Sequence, residues 1–417
     1  MKPVISSDRN LDERRFKTIL VLLRLGGIPL NMKSISKVRT VYSVFIIFCY
    51  YCTMFCLAMD TFTHRHQLDQ AMKKLRVLMG MVLSLWIHFS LSYRKGELEH
   101  LIGLTDSFTW EELPTRDPNT GYLTKAGYIP IIQRFAVYTP AVVCIFHGTQ
   151  STVRIVLSHD MVFANWYPFD FSSSPAYEIA NFTQGIASLF MACTYFGFPS
   201  LYATLVCVAC SQVEKLRAAL LDIGQTRVTS EQDRGAETDR LEGQALTTEE
   251  VSGHMQKQLN DCIRHHQKIL RYIQVLEDTM NFPLCGLFLI FLSAMCFDAF
   301  SAITSWGDHT DVSQALAVYI VQTGCMCVYC WLGNELSEGV ESVRDAAWGC
   351  DWVGTPVPFQ RCLMFIIAKA NKEFILTAGK FVPVSNKTMM NMMNQSISFF
   401  MFLLHMKDKN ADNNQGV

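Results

Sequence analysis

Charge is what this sequence has least of. Only 18% of its 417 residues are Asp, Glu, Lys or Arg, against about 25% in an ordinary soluble protein. The net charge is −1, so there is no basic surplus to bind nucleic acid and no acidic tail. Fifteen cysteines are spread along the whole chain, too thinly for a small disulfide scaffold. No phosphate loop, H-E-x-x-H helix or nucleophile elbow occurs, so an enzyme is not expected. Three C-x-x-C pairs exist: Cys49/Cys52, Cys207/Cys210 and Cys327/Cys330. Each lies inside an apolar stretch with no second pair at zinc-site spacing, which points to helix packing rather than to a metal or cofactor. Internal repeats of the transporter kind are also lacking. The apolar run Ile19–Leu25 is interrupted by Arg24 and followed by no small-residue cleavage site, so the N-terminus is expected to be retained.

What the chain has in abundance is long uncharged runs. Seven windows hold no Asp, Glu, Lys or Arg: Val41–Met59, Val77–Tyr93, Phe135–Val153, Ile179–Val213, Thr279–Phe297, Val312–Asn334 and Thr388–Met406. Each spans 17 residues or more, and a bilayer core needs about 20 residues of helix. Backbone polar groups in lipid must be paired within the segment, so the windows are helices. The expected fold is an all-α membrane protein with seven transmembrane helices. A shorter run, Cys362–Ala368, reads as a buried or interfacial helix.

Basic residues set the orientation. With a cytoplasmic N-terminus, the inside segments 1–40, 94–134, 214–278 and 335–387 carry 29 Lys and Arg, and the outside segments carry 6. The C-terminal tail, 407–417, is then extracellular. This is opposite to the G-protein-coupled receptors, and the seventh window has no Asn-Pro-x-x-Tyr. Asn181-Phe-Thr is a glycosylation sequon at the outer start of the fourth span.

The polar parts divide further. Residues 41–213 form the first four spans and 279–334 the fifth and sixth. Thr226–Gly253 has no apolar period and reads as disordered. On either side, Gln212–Asp222 and His254–Asp278 read as helical extensions into the cytoplasm, with Leu259, Ile263, Ile269, Leu270, Ile273 and Leu276 recurring every three to four residues. His265-His266 reads as a solvated face. Leu336–Gly379 is amphipathic too. These stripes suggest a cytoplasmic anchor region where several subunits assemble.

The seventh window is the polar one. Asn391, Asn394, Gln395, Ser398, Phe402 and His405 share one helix face by steps of three and four. Met393, Ile397, Phe400 and Leu404 lie away from it. Polar groups in a membrane face protein or water. Two explanations stand at this point: the face lines a pore on an oligomer axis, or it holds helix to helix within one subunit. As a pore, it would narrow at Phe402 and Met406, where apolar rings gate by dewetting. His405 would then be the titratable group at the constriction.

The C-terminal third carries a recognisable set of motifs: Tyr329-Cys-Trp-Leu-Gly-Asn-Glu335, Asp345-Ala-Ala-Trp348, Asp351-Trp352, Leu376-Thr-Ala-Gly-Lys-Phe381, Pro383-Val-Ser385, Thr388 and Ser396-Ile-Ser-Phe-Phe400. Together they resemble the insect odorant receptor family, closely over 329–406 and in span count and length elsewhere. The resemblance implies a ligand-gated, non-selective cation channel, tetrameric, with the last helix of each subunit lining a central pore. It implies a tuning subunit that assembles with a shared co-receptor in the plasma membrane of olfactory neurons. The family's constriction matches Phe402, His405 and Met406, with Asn391, Gln395 and Ser398 along the wet face. It further implies that a small volatile organic ligand binds among the outer halves of the second, third, fourth and sixth spans. Those carry Trp86, Ile87, His88, Tyr138, His147, Ser151, Phe190, Tyr195, Tyr319, Gln322 and Thr323. A gustatory-receptor-type channel and a secondary transporter are the alternatives.

Overall fold

The computed structural model describes residues 16–28, 30, 37–64, 68–108, 115–116, 121–158, 161, 165–168, 174–236, 248–304, 309–350 and 352–415. A helix over 16–25 (α1) is followed by α2 (Lys37–Thr63), α3 (Leu68–Tyr93), α4 (Lys95–Leu104), a 3-10 turn, α5 (Lys125–Ser158), α6 (Ala176–Ala236), α7 (Thr248–Thr304), α8 (His309–Trp348), α9 (Val357–Ala370), a two-stranded hairpin and α10 (Asn386–Gln415). The hairpin pairs β1 (Thr377–Ala378) antiparallel with β2 (Val382–Pro383).

Every uncharged window lies inside one of these helices. Six of them, α2, α3, α5, α6, α7 and α8, are long and apolar enough to cross a membrane by length and composition. α10, which holds the seventh window, falls short on apolarity because of its Asn, Gln and Ser residues. It runs on to Gln415, so the short tail expected after Met406 is helical through that point.

α6 is the centre of the bundle. Its most apolar stretch is 94% buried, against 28% for α2 and 17% for α5. It packs against α2, α3, α5, α7 and α8, and even its polar Thr194, Ser200, Thr204, Ser211 and Gln212 are buried. The peripheral helices keep one face for the interior. On α2 the buried residues Ile46, Cys49, Tyr50, Thr53, Cys56, Leu57 and Asp60 follow the helical period. Its other face exposes Val41, Phe45, Phe48 and Phe55, suited to lipid. α1 buries Phe16, Ile19, Leu20 and Leu23, a one-face stripe. Leu23 lies against Gly197 of α6, where any Cβ would come within 2.7 Å of it.

Two expectations need revision. The stretch 226–253 is not wholly irregular: α6 continues to Ala236 and α7 begins at Thr248, leaving 237–247 outside the described residues. His265 and His266 do not form a solvated face. His266 is 5% exposed, and the His265 ring meets Phe108 edge-on at 6.0 Å. α7 packs on α6, and on α4 and α9 as well, which covers a face the sequence pattern left open.

The hairpin is tied to the spans by polar contacts. The Glu277 carboxylate accepts from the Thr377 backbone N–H at 2.9 Å and from the Thr377 hydroxyl. Asp278 accepts from Lys380 at 2.7 Å, and its carbonyl accepts from Arg94, between α3 and α4, at 2.6 Å. The Gly379 N–H donates to the Asn281 carbonyl at 2.8 Å. Gly379 has φ 66°, and its missing Cβ leaves room for Cys285 Sγ, which a Cβ would meet at 2.7 Å. Gly333 of α8 likewise admits the hairpin: a Cβ there would lie 2.5 Å from the Val384 carbonyl oxygen. The shared glycines in the C-terminal motifs are thus close-approach positions.

Candidate functional site

The expected ligand residues fall into three groups. In the first, His88 of α3 is half-buried and its ring lies 5.3 Å from Phe190 of α6, which packs at 4.4 Å on Tyr50 of α2. Ile87, the next residue along, is buried in the main core rather than in the smaller cluster of Tyr50 and Phe190. The second comprises Tyr195 of α6 and Tyr319, Gln322 and Thr323 of α8, two helices that pack on each other and on α7. Gln322 is 2% exposed. Its Oε1, the Thr323 hydroxyl and the Tyr195 hydroxyl are buried and make no hydrogen bond within the protein. These two groups are aromatic walls with a few uncommitted polar atoms, the usual make-up of a small-ligand site.

The third group does not join them. Trp86 faces α7: its indole N–H donates to the Pro283 carbonyl at 3.0 Å, and its ring fills the space left by Gly286, where a Cβ would be 2.1 Å away. Trp86 therefore points to α7, while the neighbouring His88 points to Phe190 of α6. Tyr138 is 66% exposed on the outer face of α5, beside Val137 and Val142. α5 turns only a narrow face to α6, and helical periodicity carries Tyr138 away from it. His147 and Ser151 lie on the α5 backbone, and their side chains are outside the described residues.

One residue was overlooked. Asp298 of α7 had looked like the charge that ends the fifth window. Instead it is 0% exposed, and both carboxylate oxygens make no hydrogen bond. It stands within electrostatic reach of Tyr195 and of Arg76 on α3. The signal was available: a helix need not end where a charge appears, and an acidic residue within a membrane helix is a functional candidate by default.

The pore candidate is divided between two faces. α10 packs on α7 and α8, burying Thr388, Met392 and Ser396, spaced by four. Asn391, Gln395, Ser398, Phe402 and His405 are all exposed on this single chain, Phe402 at 58%. Ser396, which lies off that face, is buried against Cys296, while Ile397 is exposed. The Met406 side chain is outside the described residues. The sequon residue Asn181 is half-buried, and its amide donates to the Tyr177 carbonyl within α6 at 3.1 Å. Among the described residues no group of three or more His, Cys, Asp or Glu could hold a metal ion.

A further cluster lies on the cytoplasmic side. Lys125, at the start of α5, contacts Glu335 of α8 at 2.5 Å, and its backbone N–H donates to Glu214 of α6 at 3.2 Å. Its ammonium lies 5.4 Å from the centre of the Trp331 ring. Glu335 closes the Tyr329–Glu335 motif, so this cluster joins the inner ends of three bundle helices.

Residues 67–397 match the family model described as the 7tm odorant receptor. The chain is 25% identical over 236 residues to odorant receptor Or2 of Anopheles gambiae, covering 56% of this chain and 58% of that one. It is 23% identical over 274 residues to odorant receptor 2a of Drosophila melanogaster, covering 64% and 66%. The matched part therefore spans about three fifths of these relatives. The fold is that of the insect olfactory receptor OR5 from Machilis hrabei, solved in complex with eugenol: the TM-score is 0.74 at 18% identity, covering 96% of this chain and 100% of that one. A family match over most of the chain, motifs at the hairpin and a fold shared end to end lead to one conclusion: the chain belongs to the insect odorant receptor family and is an all-α, seven-transmembrane protein.

Proposed function

We propose that this chain is a subunit of an odorant-gated, non-selective cation channel in the plasma membrane. Its N-terminus is cytoplasmic, in keeping with the excess of Lys and Arg on that side. Four subunits, this chain together with the shared co-receptor, place α10 around a central axis. A volatile ligand binding among α3, α6 and α8 shifts the bundle toward the open state, and about 1–3 kcal/mol of coupling between ligand and gate suffices.

The observation that carries this is the two-sidedness of α10. One stripe, Thr388, Met392 and Ser396, is buried against the chain's own α7 and α8. The polar strip of Asn391, Gln395 and Ser398, continued by Phe402 and His405, is left uncovered. A polar strip toward lipid is costly, and a water-filled axis removes that cost. The exposed ring of Phe402 suits an apolar gate.

The test is patch-clamp recording with and without the co-receptor against a panel of volatiles, followed by single cysteines at 391, 395, 398, 402 and 405. Ligand-evoked cation currents blocked by water-soluble thiol reagents on this strip are the expected result. Currents that no position on the strip can block would refute the pore assignment. In the same recordings His405→Gln should lose any acid-induced fall in conductance.

A further inference from the structure

We propose that Trp86 is a positioning residue for gating: it clasps α7 at a hinge centred on Pro283 and so couples the aromatic wall of His88 and Phe190 to the last helix. The inference rests on the channel reading above and adds the route by which the pocket moves α10.

The hinge comes from the sequence of α7. Pro283 lies inside this helix, and a proline has no N–H to give to the carbonyl one turn back, here that of Thr279. A helix bends most readily at such a point. The bend matters because of what α7 holds on either side of it. Before the proline α7 carries the hairpin: Glu277 accepts from the Thr377 N–H at 2.9 Å, Asp278 from Lys380 at 2.7 Å, and the Asn281 carbonyl from the Gly379 N–H at 2.8 Å. After the proline it meets α10 itself, with the Cys296 thiol 3.9 Å from the Ser396 hydroxyl. A change of bend at Pro283 therefore moves the hairpin relative to Ser396, and α10, held at both places, must tilt.

α3 lies across the hinge like a splint. The Trp86 indole N–H donates to the Pro283 carbonyl at 3.0 Å. Its ring occupies the notch at Gly286, where a Cβ would lie 2.1 Å from the indole, and it stands 5.0 Å from Phe282. Just past the end of α3, Arg94 donates to the Asp278 carbonyl at 2.6 Å, so a second grip falls before the proline. His88, on the same turn of α3 as Trp86, faces Phe190 of α6 at 5.3 Å. One turn of α3 thus meets the candidate pocket on one side and the hinge on the other. A ligand that displaces α3 at His88 carries Trp86 with it, because a packed helix moves as a unit, and the indole passes that motion to α7.

The test uses the full chain with the co-receptor, in membrane patches for current and in lipid nanodiscs for binding and hydrogen exchange. The agonist is whichever of octanol, phenylethanol, hexyl acetate and benzaldehyde gives the largest wild-type current. Trp86→Leu, which empties the Gly286 notch, should lower the maximal current per surface channel about five-fold or more, the scale of one lost hydrogen bond. Agonist binding should shift far less than current does. Trp86→Phe, which keeps a ring and loses the N–H, should fall between the two and serves should Trp86→Leu fold poorly. Gly286→Ala alone drives the indole out and should match Trp86→Leu. Joined to Trp86→Leu it refills the notch, so the pair should recover part of the loss instead of adding to it. Hydrogen exchange needs no agonist: Trp86→Leu should speed exchange about ten-fold in α7 around Pro283, in the hairpin and in the first turns of α10. Exchange raised only in α3 and α7, additive losses in the pair, or binding and current reduced in equal measure overturns the inference. If no volatile opens the wild-type channel, the channel reading falls and the exchange pattern alone decides the clasp. Wild-type currents that the Trp86 variants reproduce in full remove the clasp and leave the channel standing.

Discussion

Two glycines six residues apart on α8 should respond in opposite ways to one methyl group. At Gly339 a Cβ would meet only Val213 Cγ1 at 3.6 Å, an ordinary contact. Gly339→Ala should therefore gain helix propensity, up to about 1 kcal/mol. At Gly333 the Cβ would lie 2.5 Å from the Val384 carbonyl oxygen and 2.8 Å from Val384 Cγ1. The side chain can rotate, but the carbonyl cannot easily yield: the adjoining Val384 N–H donates to the Leu376 carbonyl at 2.7 Å. Gly333→Ala must push the hairpin off α8, and overpacking of this kind costs about 1–3 kcal/mol, partly offset by the same propensity gain. Because Val384 lies two residues before the start of α10 at Asn386, the displacement is passed to the last helix. The assay is thermal unfolding of the two variants in detergent, beside ligand concentration–response curves. Gly333→Ala should melt below wild type and respond at altered ligand concentration, while Gly339→Ala should match or exceed wild type in both. If the two substitutions lower stability equally, the close approach of hairpin to α8 is wrong.

Other outcomes follow from the cytoplasmic face. Glu277→Ala strips the Thr377 N–H and hydroxyl of their acceptor, and should cost about 2–4 kcal/mol, read as a lower melting temperature. Burial, with repulsion from Lys369 and His265 added, pushes the His266 imidazole down to about 4 from its ordinary 6.5. The unfolded chain takes up that proton between about pH 6.5 and 4 and the folded one resists it. Stability should therefore fall as pH falls through this window, by up to about 3 kcal/mol in total, and His266→Leu should flatten that slope in melting curves taken across it. A double-mutant cycle between Lys125→Met and Glu335→Gln should return a coupling of about 1 kcal/mol, given a half-buried pair at short range. A coupling indistinguishable from zero would make the contact incidental.

Much of this architecture can be read from charge spacing alone. Lipid excludes ionised groups so strongly that the seven windows mark seven helices, and the polar face of the last stands out against the other six. Spacing fails where tertiary packing decides. Asp298 looks like a terminus because a lone charge normally ends a span, yet a bundle interior can hold it. Tyr138 and Trp86 sit on helices that face more than one environment, and periodicity cannot say which side meets α6 and which meets lipid or α7. His265 and His266 look solvated because their neighbours are charged, but α4 and α9, distant in sequence, cover them. The hairpin between α9 and α10 has strands of two residues each, too short for any alternating pattern.

The enclosure of α6 has a bearing on how the protein is made. This helix is synthesised before α7 and α8, which cover much of it. Until residues beyond 348 have left the ribosome, Gln184, Thr194, Ser200, Thr204 and Gln212 have only α2, α3 and α5 to shield them from lipid or translocon. A nascent chain stopped within the loop after α6 would leave this helix without the α7 and α8 surfaces that enclose it, so its full burial is completed only late in synthesis.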